Sequence, residues 1–128
     1  MHMALRVQTL ENRTVLYVAM SPDYHHVRFE GLLDISRYPE FRQAFEGLPS
    51  TRPVLCDLTG ADAVDSVFLS ELMLARRRHG APFAILIAPA GAVARIFGIA
   101  TLDQRPYVFH DVGTAVAWLA SAPSNDPS

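Results

Sequence analysis

The sequence predicts a single α/β domain built on a mixed sheet of four to six strands with about four helices. Two observations support this. Short runs rich in apolar and β-branched residues alternate with segments of helical periodicity along most of the 128-residue chain. Hydrophobic residues make up 50% of the sequence, which is enough for a substantial core at this length. We expect residues 1–120 to form the domain and the polar, proline-bearing residues 121–128 to form a disordered tail.

The first part of the chain has the pattern of paired strands. Residues 5–9 alternate apolar and polar side chains, residues 14–20 are rich in β-branched residues, and residues 27–30 alternate again. Because these runs are close in sequence, hairpin pairing is the economical arrangement.

The rest of the chain alternates helices and strands. The predicted elements are a helix at about 39–48 with Pro39 in its first turn, a buried strand at 53–58, a helix at 67–79, a buried strand at 83–88, a short helix at about 91–97, a strand at 107–109 and a helix at 112–120. This alternation is typical of strands that pair in parallel.

Composition and charge exclude several classes of protein. The net charge of −2 gives no basic footprint for nucleic acid, and Arg76-Arg77-Arg78-His79 is predicted to be a solvated last helical turn. The single cysteine, Cys56, lies in an apolar run, which excludes an internal disulfide and indicates a core residue in a reducing compartment. No apolar stretch approaches the length of a membrane span. We therefore expect a cytoplasmic protein with no direct membrane insertion.

The sequence also lacks the usual signs of catalysis or cofactor binding. It contains no glycine-rich phosphate loop, no cysteine pair and no H-E-x-x-H motif, and His25-His26 is expected to lie in an exposed loop. Ser66 lacks a nucleophile elbow, and His79 is expected about 20 Å away at the far end of a 13-residue helix. We predict a protein that is not an enzyme and has no cofactor and no metal site.

The pair Asp65-Ser66 lies between a buried strand and an apolar helix. Both residue types are favourable helix caps. The loop that follows a parallel strand also faces the ligand-binding edge of an α/β sheet. A phosphate on Ser66 would lie at the positive end of the helix and would add about −1.5 to −2 of charge beside Asp65. We expect the Ser66 hydroxyl to cap the helix in one state and to carry the phosphate in the other.

Three segments at matching separations resemble the STAS domain, the sulfate-transporter and anti-sigma-factor-antagonist family. They are G-L-L-D at 31–34, V-L-C-D-L-T-G-A-D-A-V-D-S at 54–66 with the helix after it, and F-A-I-L-I-A-P-A-G-A-V-A-R-I-F at 83–97. The resemblance covers most of residues 27–120. It implies a sheet with helices packed mainly on one side.

The resemblance also implies a function. In the family, the serine after the aspartate is phosphorylated by a partner, an anti-sigma factor and serine kinase of the histidine-kinase-like ATPase type, and the unphosphorylated form binds that partner and frees a sigma factor. Carried over, Ser66 is the phosphorylation site. Asp34 and Asp65 lie on the partner-facing surface, and Val67, Phe68 and Leu69 form the docking surface with the exposed side of the helix.

The segment after Ser66 departs from the antagonist pattern. Antagonists usually continue D-S-[ST]-G-L-G, whereas this chain continues Val67-Phe68-Leu69-Ser70, which is closer to the stressosome scaffold branch. Alternatives without phosphorylation are a docking subunit of a lipid-transport ABC complex, the cytoplasmic STAS domain of an anion transporter, and a small-molecule or nucleotide pocket. The sequence also leaves open whether the chain forms a homo-oligomer.

Overall fold

The computed structural model describes residues 3–9, 15–20 and 23–122, and within them six strands form one sheet in their order along the chain. The strands are β1 (Met3–Thr9), β2 (Val15–Met20), β3 (His25–Leu33), β4 (Val54–Val64), β5 (Phe83–Leu86) and β6 (Val108–Phe109). The helices are α1 (Tyr38–Glu46), α2 (Ser66–Arg78), α3 (Ala92–Ile99) and α4 (Val112–Ser121), and a short 3-10 helix, Ile35–Arg37, precedes α1.

The sheet is mixed. β1, β2 and β3 pair antiparallel, as the short connections between them predict, and β3, β4, β5 and β6 pair in parallel. The parallel strands are joined by helical crossovers, so the predicted α/β class with a mixed sheet is confirmed.

The helices lie mainly on one face of the sheet, also as predicted. Val54, Cys56 and Leu58 of β4 point into the main core, which includes apolar residues of α1, α2 and α3. Leu55 points the other way, into a smaller core with Ala115 and other residues of β5 and α4. β4 is thus covered on both faces, which explains its continuous apolar run. Cys56 is a fully buried core residue, as predicted, and burial raises the pKa of its thiol.

Two strands, β3 and β4, are longer than their sequence patterns predict. β4 continues beyond Leu58 to Val64, through small and polar residues that lack strand periodicity. Its pairing with β3 contains two register shifts, and Gly60 lies where a Cβ would be 2.8 Å from Arg28 and 2.8 Å from the Glu30 side chain. A larger residue at position 60 would therefore displace the Arg28 or Glu30 side chain, so glycine is favoured there.

The C-terminal end differs slightly from expectation. α4 ends at Ser121, one residue into the segment predicted as a tail, and residues 123–128 of that predicted tail lie outside the described residues. In the described part of the chain, no helix is long and apolar enough to cross a membrane.

Candidate functional site at the carboxyl edge of the sheet

Parallel pairing of β3 and β4 brings the two predicted acidic positions to one edge of the sheet. Leu33 is in register with Val64, and the amide of Asp65 donates a hydrogen bond to the carbonyl of Leu33 at 3.1 Å. Asp34 and Asp65 therefore follow neighbouring strand ends, as the sequence predicted for a shared surface.

Asp65 is the N-cap of α2. One carboxylate oxygen accepts a hydrogen bond from the amide of Phe68 at 2.9 Å, and the other accepts from the amide of Ile35 at 2.9 Å. The first bond satisfies a helix-terminal amide that would otherwise lack a partner. The second joins the start of α2 to the loop after β3, so Asp65 fixes the geometry of the whole edge.

Asp34 has the same role for the 3-10 helix. Its carboxylate accepts from the amide of Ser36 at 3.0 Å and from the Ser36 hydroxyl at 2.5 Å. Both carboxylates at this edge are therefore held by local donors.

Ser66 is the first residue of α2 and its side chain is exposed. The expectation that its hydroxyl caps the helix is wrong, because Asp65 occupies the cap. Within the described part of the chain, the Ser66 hydroxyl forms no hydrogen bond. It is an accessible alcohol at the positive end of a helix.

The three residues after Ser66 are not equally accessible. Val67 is half-buried, Leu69 is 8% exposed, and Phe68 is completely buried. The Phe68 ring packs in edge-to-face geometry on Phe41 and Phe29, with ring centroids 5.0 and 5.3 Å apart. The prediction that Phe68 contributes to the docking surface is therefore wrong: its side chain is a centre of the core.

Ile35 is the apolar residue that the sequence analysis missed at this edge. It is 64% exposed, and its amide is the one bound by Asp65. The signal in the sequence is weak, because Ile35 stands alone between Asp34 and Ser36 with no periodic apolar neighbour.

A second polar cluster lies on the sheet face away from α1, α2 and α3. Asp57 is nearly buried, and its carboxylate lies 3.0 Å from His26 Nε2 and 3.1 Å from an Arg28 nitrogen. The amide and hydroxyl of Thr59 also donate to it, at 2.9 and 2.6 Å. Burial raises the pKa of Asp57, but these hydrogen bonds and the charge of Arg28 outweigh burial and hold it well below its usual range.

The two adjacent histidines are not the exposed loop residues that the sequence predicted. His26 belongs to the Asp57 cluster, and His25 is 7% exposed at the start of β3. His79 caps the C-terminal end of α2, is 5% exposed, and its Nε2 lies 2.6 Å from the carbonyl oxygen of Arg52. Burial is the main cause that lowers the pKa of both His25 and His79.

Comparison with known proteins identifies the fold. No family model and no curated protein matches the chain. A solved structure of an anti-sigma factor antagonist from Mycobacterium paratuberculosis superposes with a TM-score of 0.76 at 18% identity, covering 89% of this chain and 100% of that one. A Thermotoga maritima protein assigned as an anti-sigma factor antagonist superposes with a TM-score of 0.59 at 13% identity, covering 90% and 93%. This chain has the fold of these proteins, and the predicted STAS-like architecture is confirmed.

Proposed function

We propose that this chain is a non-enzymatic regulatory binding domain of the anti-sigma factor antagonist type, which docks on a partner and is switched by phosphorylation of Ser66. The single observation that carries the proposal is the position of Ser66. Its exposed hydroxyl lies at the first position of α2, on the edge where the chain also presents Asp34 and Asp65.

The site supports a hydroxyl that is modified by another protein. His79 lies at the opposite end of the 13-residue helix, about 20 Å from Ser66, and His26 is engaged with Asp57 on the face of the sheet away from α2. The carboxylates of Asp34 and Asp65 already accept hydrogen bonds from backbone amides. The base that takes the serine proton, the ATP that donates the phosphoryl group and its metal ion would therefore come from a partner kinase.

A phosphate would change this edge strongly. The unmodified edge already carries two carboxylates, of which Asp65 is partly stabilised by the positive end of α2. A phosphate adds about −1.5 to −2 of charge next to Asp65, and the Asp65 carboxylate already occupies the Phe68 amide that the phosphate would need. The added charge would remain exposed toward the partner and would oppose docking through repulsion and desolvation.

The docking surface is proposed to include Asp34, Ile35, Asp65 and Val67 around Ser66, together with exposed residues of α2. In this proposal the exposed side chain of Ile35 makes the apolar contact with the partner, in place of the buried Phe68. We propose a serine kinase of the histidine-kinase-like ATPase type as the partner, acting also as the anti-sigma factor, and a cytoplasmic setting for this signal transduction and control of transcription.

Binding measurements with charge variants test the switch. A purified serine kinase of the histidine-kinase-like ATPase type, the proposed class of partner, would be titrated with the native protein, Ser66→Asp and Ser66→Asn. We expect Ser66→Asp to weaken binding at least tenfold and Ser66→Asn, which is polar and uncharged, to bind nearly as well as the native protein. Equal binding by all three would contradict the switch and leave a constitutive docking domain, as in a transport complex.

A further inference from the structure

A cleft runs along α2 from Ser66 toward the C-terminal end of the helix. Its volume is about 520 Å³, and its other wall is formed by residues 100 and 102, just after α3. The lining residues of α2 include Ser66, Leu69, Ser70, Met73 and Arg77. The floor is apolar, because Leu69, Met73 and Leu102 contribute to it.

The spacing of these residues fits a helical occupant. Ser66, Ser70, Met73 and Arg77 recur at intervals of four, three and four residues, the alternation of fours and threes with which two helices pack side by side. The small side chains of Ser66 and Ser70 allow a second backbone to come close. From Ser66 to Arg77 the cleft is about 16 Å long, which corresponds to about three helical turns.

The surface near the cleft is more apolar than a solvated helix face requires. Ile99, adjacent to the Ala100 wall, is 73% exposed, and Leu74 of α2 is 36% exposed. An amphipathic helix laid in the cleft would cover such residues.

Charge gives the occupant a direction. Arg77 is the one charged residue among the described lining residues of the cleft, and it lies at the end opposite Ser66. The same turn carries Arg76, whose guanidinium lies 3.4 Å from the centre of the Tyr107 ring. Arg105 lies close enough to act on it. Arg76 is therefore not a freely solvated cation as the sequence predicted, and this end of α2 is strongly positive.

We infer that the cleft receives an amphipathic α-helix of the partner, lying antiparallel to α2 with acidic side chains of its first turn against Arg77. The dipoles of the two helices are then opposed, and the acidic turn meets the basic end of the cleft. The negative C-terminal end of the partner helix lies at Ser66, where a phosphate would repel it. This inference names the partner element of the docking site and therefore rests on the proposed function.

Two synthetic 14-residue helical peptides test the inference without a phosphate or an identified partner. They share one leucine stripe, and the first turn carries three glutamates in one and three lysines in the other. In titrations of the ¹⁵N-labelled full chain, we expect the acidic peptide to shift the amides of Leu69, Ser70 and Met73. We expect it to bind at least fivefold more tightly than the basic peptide.

Variants at neighbouring arginines provide the matched control. Arg77→Glu should reverse the preference between the two peptides, whereas Arg78→Glu should leave it unchanged, because Arg78 lines a different cleft between α1 and α2. A spin label on the peptide N-terminus should broaden Arg77 signals more than Ser66 signals. Filling the cleft by Ser70→Trp should abolish the shifts.

The peptide experiments can overturn the docking helix without affecting the proposed phosphorylation of Ser66. Failure of the acidic peptide to bind the cleft, equal binding of the two peptides, or a response to Arg78→Glu instead of Arg77→Glu would overturn the inference. None of these results bears on whether Ser66 is phosphorylated. Conversely, binding that follows Arg77 in a protein that no kinase modifies would keep the docking helix and remove the switch.

Discussion

Asp57 lies within β4 and Asp65 directly follows it, yet their carboxylates accept hydrogen bonds from different kinds of donor. Asp57 is nearly buried and is held mainly by the side chains of His26, Arg28 and Thr59. Asp65 is held by two backbone amides at the edge of the sheet. The first arrangement closes a polar network inside the structure, and the second orders a loop while leaving the neighbouring Ser66 accessible.

We expect the Asp57 network to serve stability and the polar residues at the carboxyl edge to serve binding. A His–Asp contact such as that of His26 and Asp57 can orient a catalytic base. Here, however, Arg28 and Thr59 also donate to Asp57, so both oxygens of its carboxylate are engaged within the structure. At the carboxyl edge, by contrast, the Ser66 hydroxyl is exposed to solvent. The comparison predicts that substitutions at Asp57 change stability, and that substitutions at Ser66 change binding.

Removing the Asp57 carboxylate should have the largest effect on stability. Asp57→Ala leaves His26 and Arg28 without their shared acceptor next to the core, and we expect the free energy of unfolding to fall by roughly 2–4 kcal/mol. Urea denaturation measures this loss. Asp62→Ala, an exposed carboxylate on the same strand, is the matched control and should change stability by less than about 0.5 kcal/mol. A loss below about 1 kcal/mol for Asp57→Ala would show that the network is not structural.

Removing the cap should have a smaller and more local effect. Asp65→Ala frees the amides of Phe68 and Ile35, and we expect a loss of about 1–2 kcal/mol with faster hydrogen exchange at both amides. Asp65→Asn keeps one acceptor oxygen, so it can retain only one of the two hydrogen bonds and should recover part of the loss. Unchanged exchange at Ile35 in Asp65→Ala would contradict the link between the two loops.

The buried histidines should affect stability differently from Asp57 and Asp65, through a dependence on pH near neutrality. Burial favours the neutral form of His25 and His79 in the folded state, so the unfolded chain takes up protons first as the pH falls below about 6.5. Their contribution to stability is therefore complete above that pH and is lost progressively below it. The contribution of Asp57, whose folded pKa is lowered, is instead lost only below about pH 4.

The midpoint of urea denaturation, measured between pH 7.5 and 5.0, tests whether the histidine contribution is lost in this range. His79→Gln keeps a donor for the Arg52 carbonyl, and it should make the decline between pH 6.5 and 5 shallower. The control is His110→Gln, because His110 is exposed; this variant should retain the native slope. A native protein with constant stability over this range would contradict burial of neutral histidines.

Much of the fold could be predicted from periodicity, and the misses have physical causes. The end of β4 was missed because Thr59–Val64 is held as a strand by pairing with β3 across two register shifts, which local composition does not encode. Phe68 was misplaced on the docking surface although it belongs to the apolar stripe of α2. Phe68, Leu69 and Leu72 recur at helical spacing and are all buried, whereas the docking role of Phe68 followed only from the resemblance to the antagonist motif.

The candidate site was predictable where it depends on strand ends. The resemblance implied that Asp34 and Asp65 share a surface, and they come together because the parallel strands β3 and β4 end at one edge. The assignment of the cap to Asp65 instead of Ser66 depends on backbone geometry at one residue, since both residue types cap helices well. The Asp57 cluster required knowledge that β3 and β4 are neighbours and in what register they pair.

Ser66 should be the position with the smallest effect on stability. Its hydroxyl is exposed and Asp65 already caps the helix, so Ser66→Ala should change the free energy of unfolding by less than about 0.5 kcal/mol. Thermal denaturation checks this expectation. A loss similar to that of Asp65→Ala would show that the hydroxyl is structural.

Direct phosphorylation mapping tests the central claim most directly. The full chain would be incubated with ATP, Mg²⁺ and a serine kinase of the histidine-kinase-like ATPase type that binds it, and analysed by intact mass and peptide mapping. The account predicts one addition of about 80 Da at Ser66, absent in Ser66→Ala and retained in Ser70→Ala. No addition, or an addition that persists in Ser66→Ala, would contradict it.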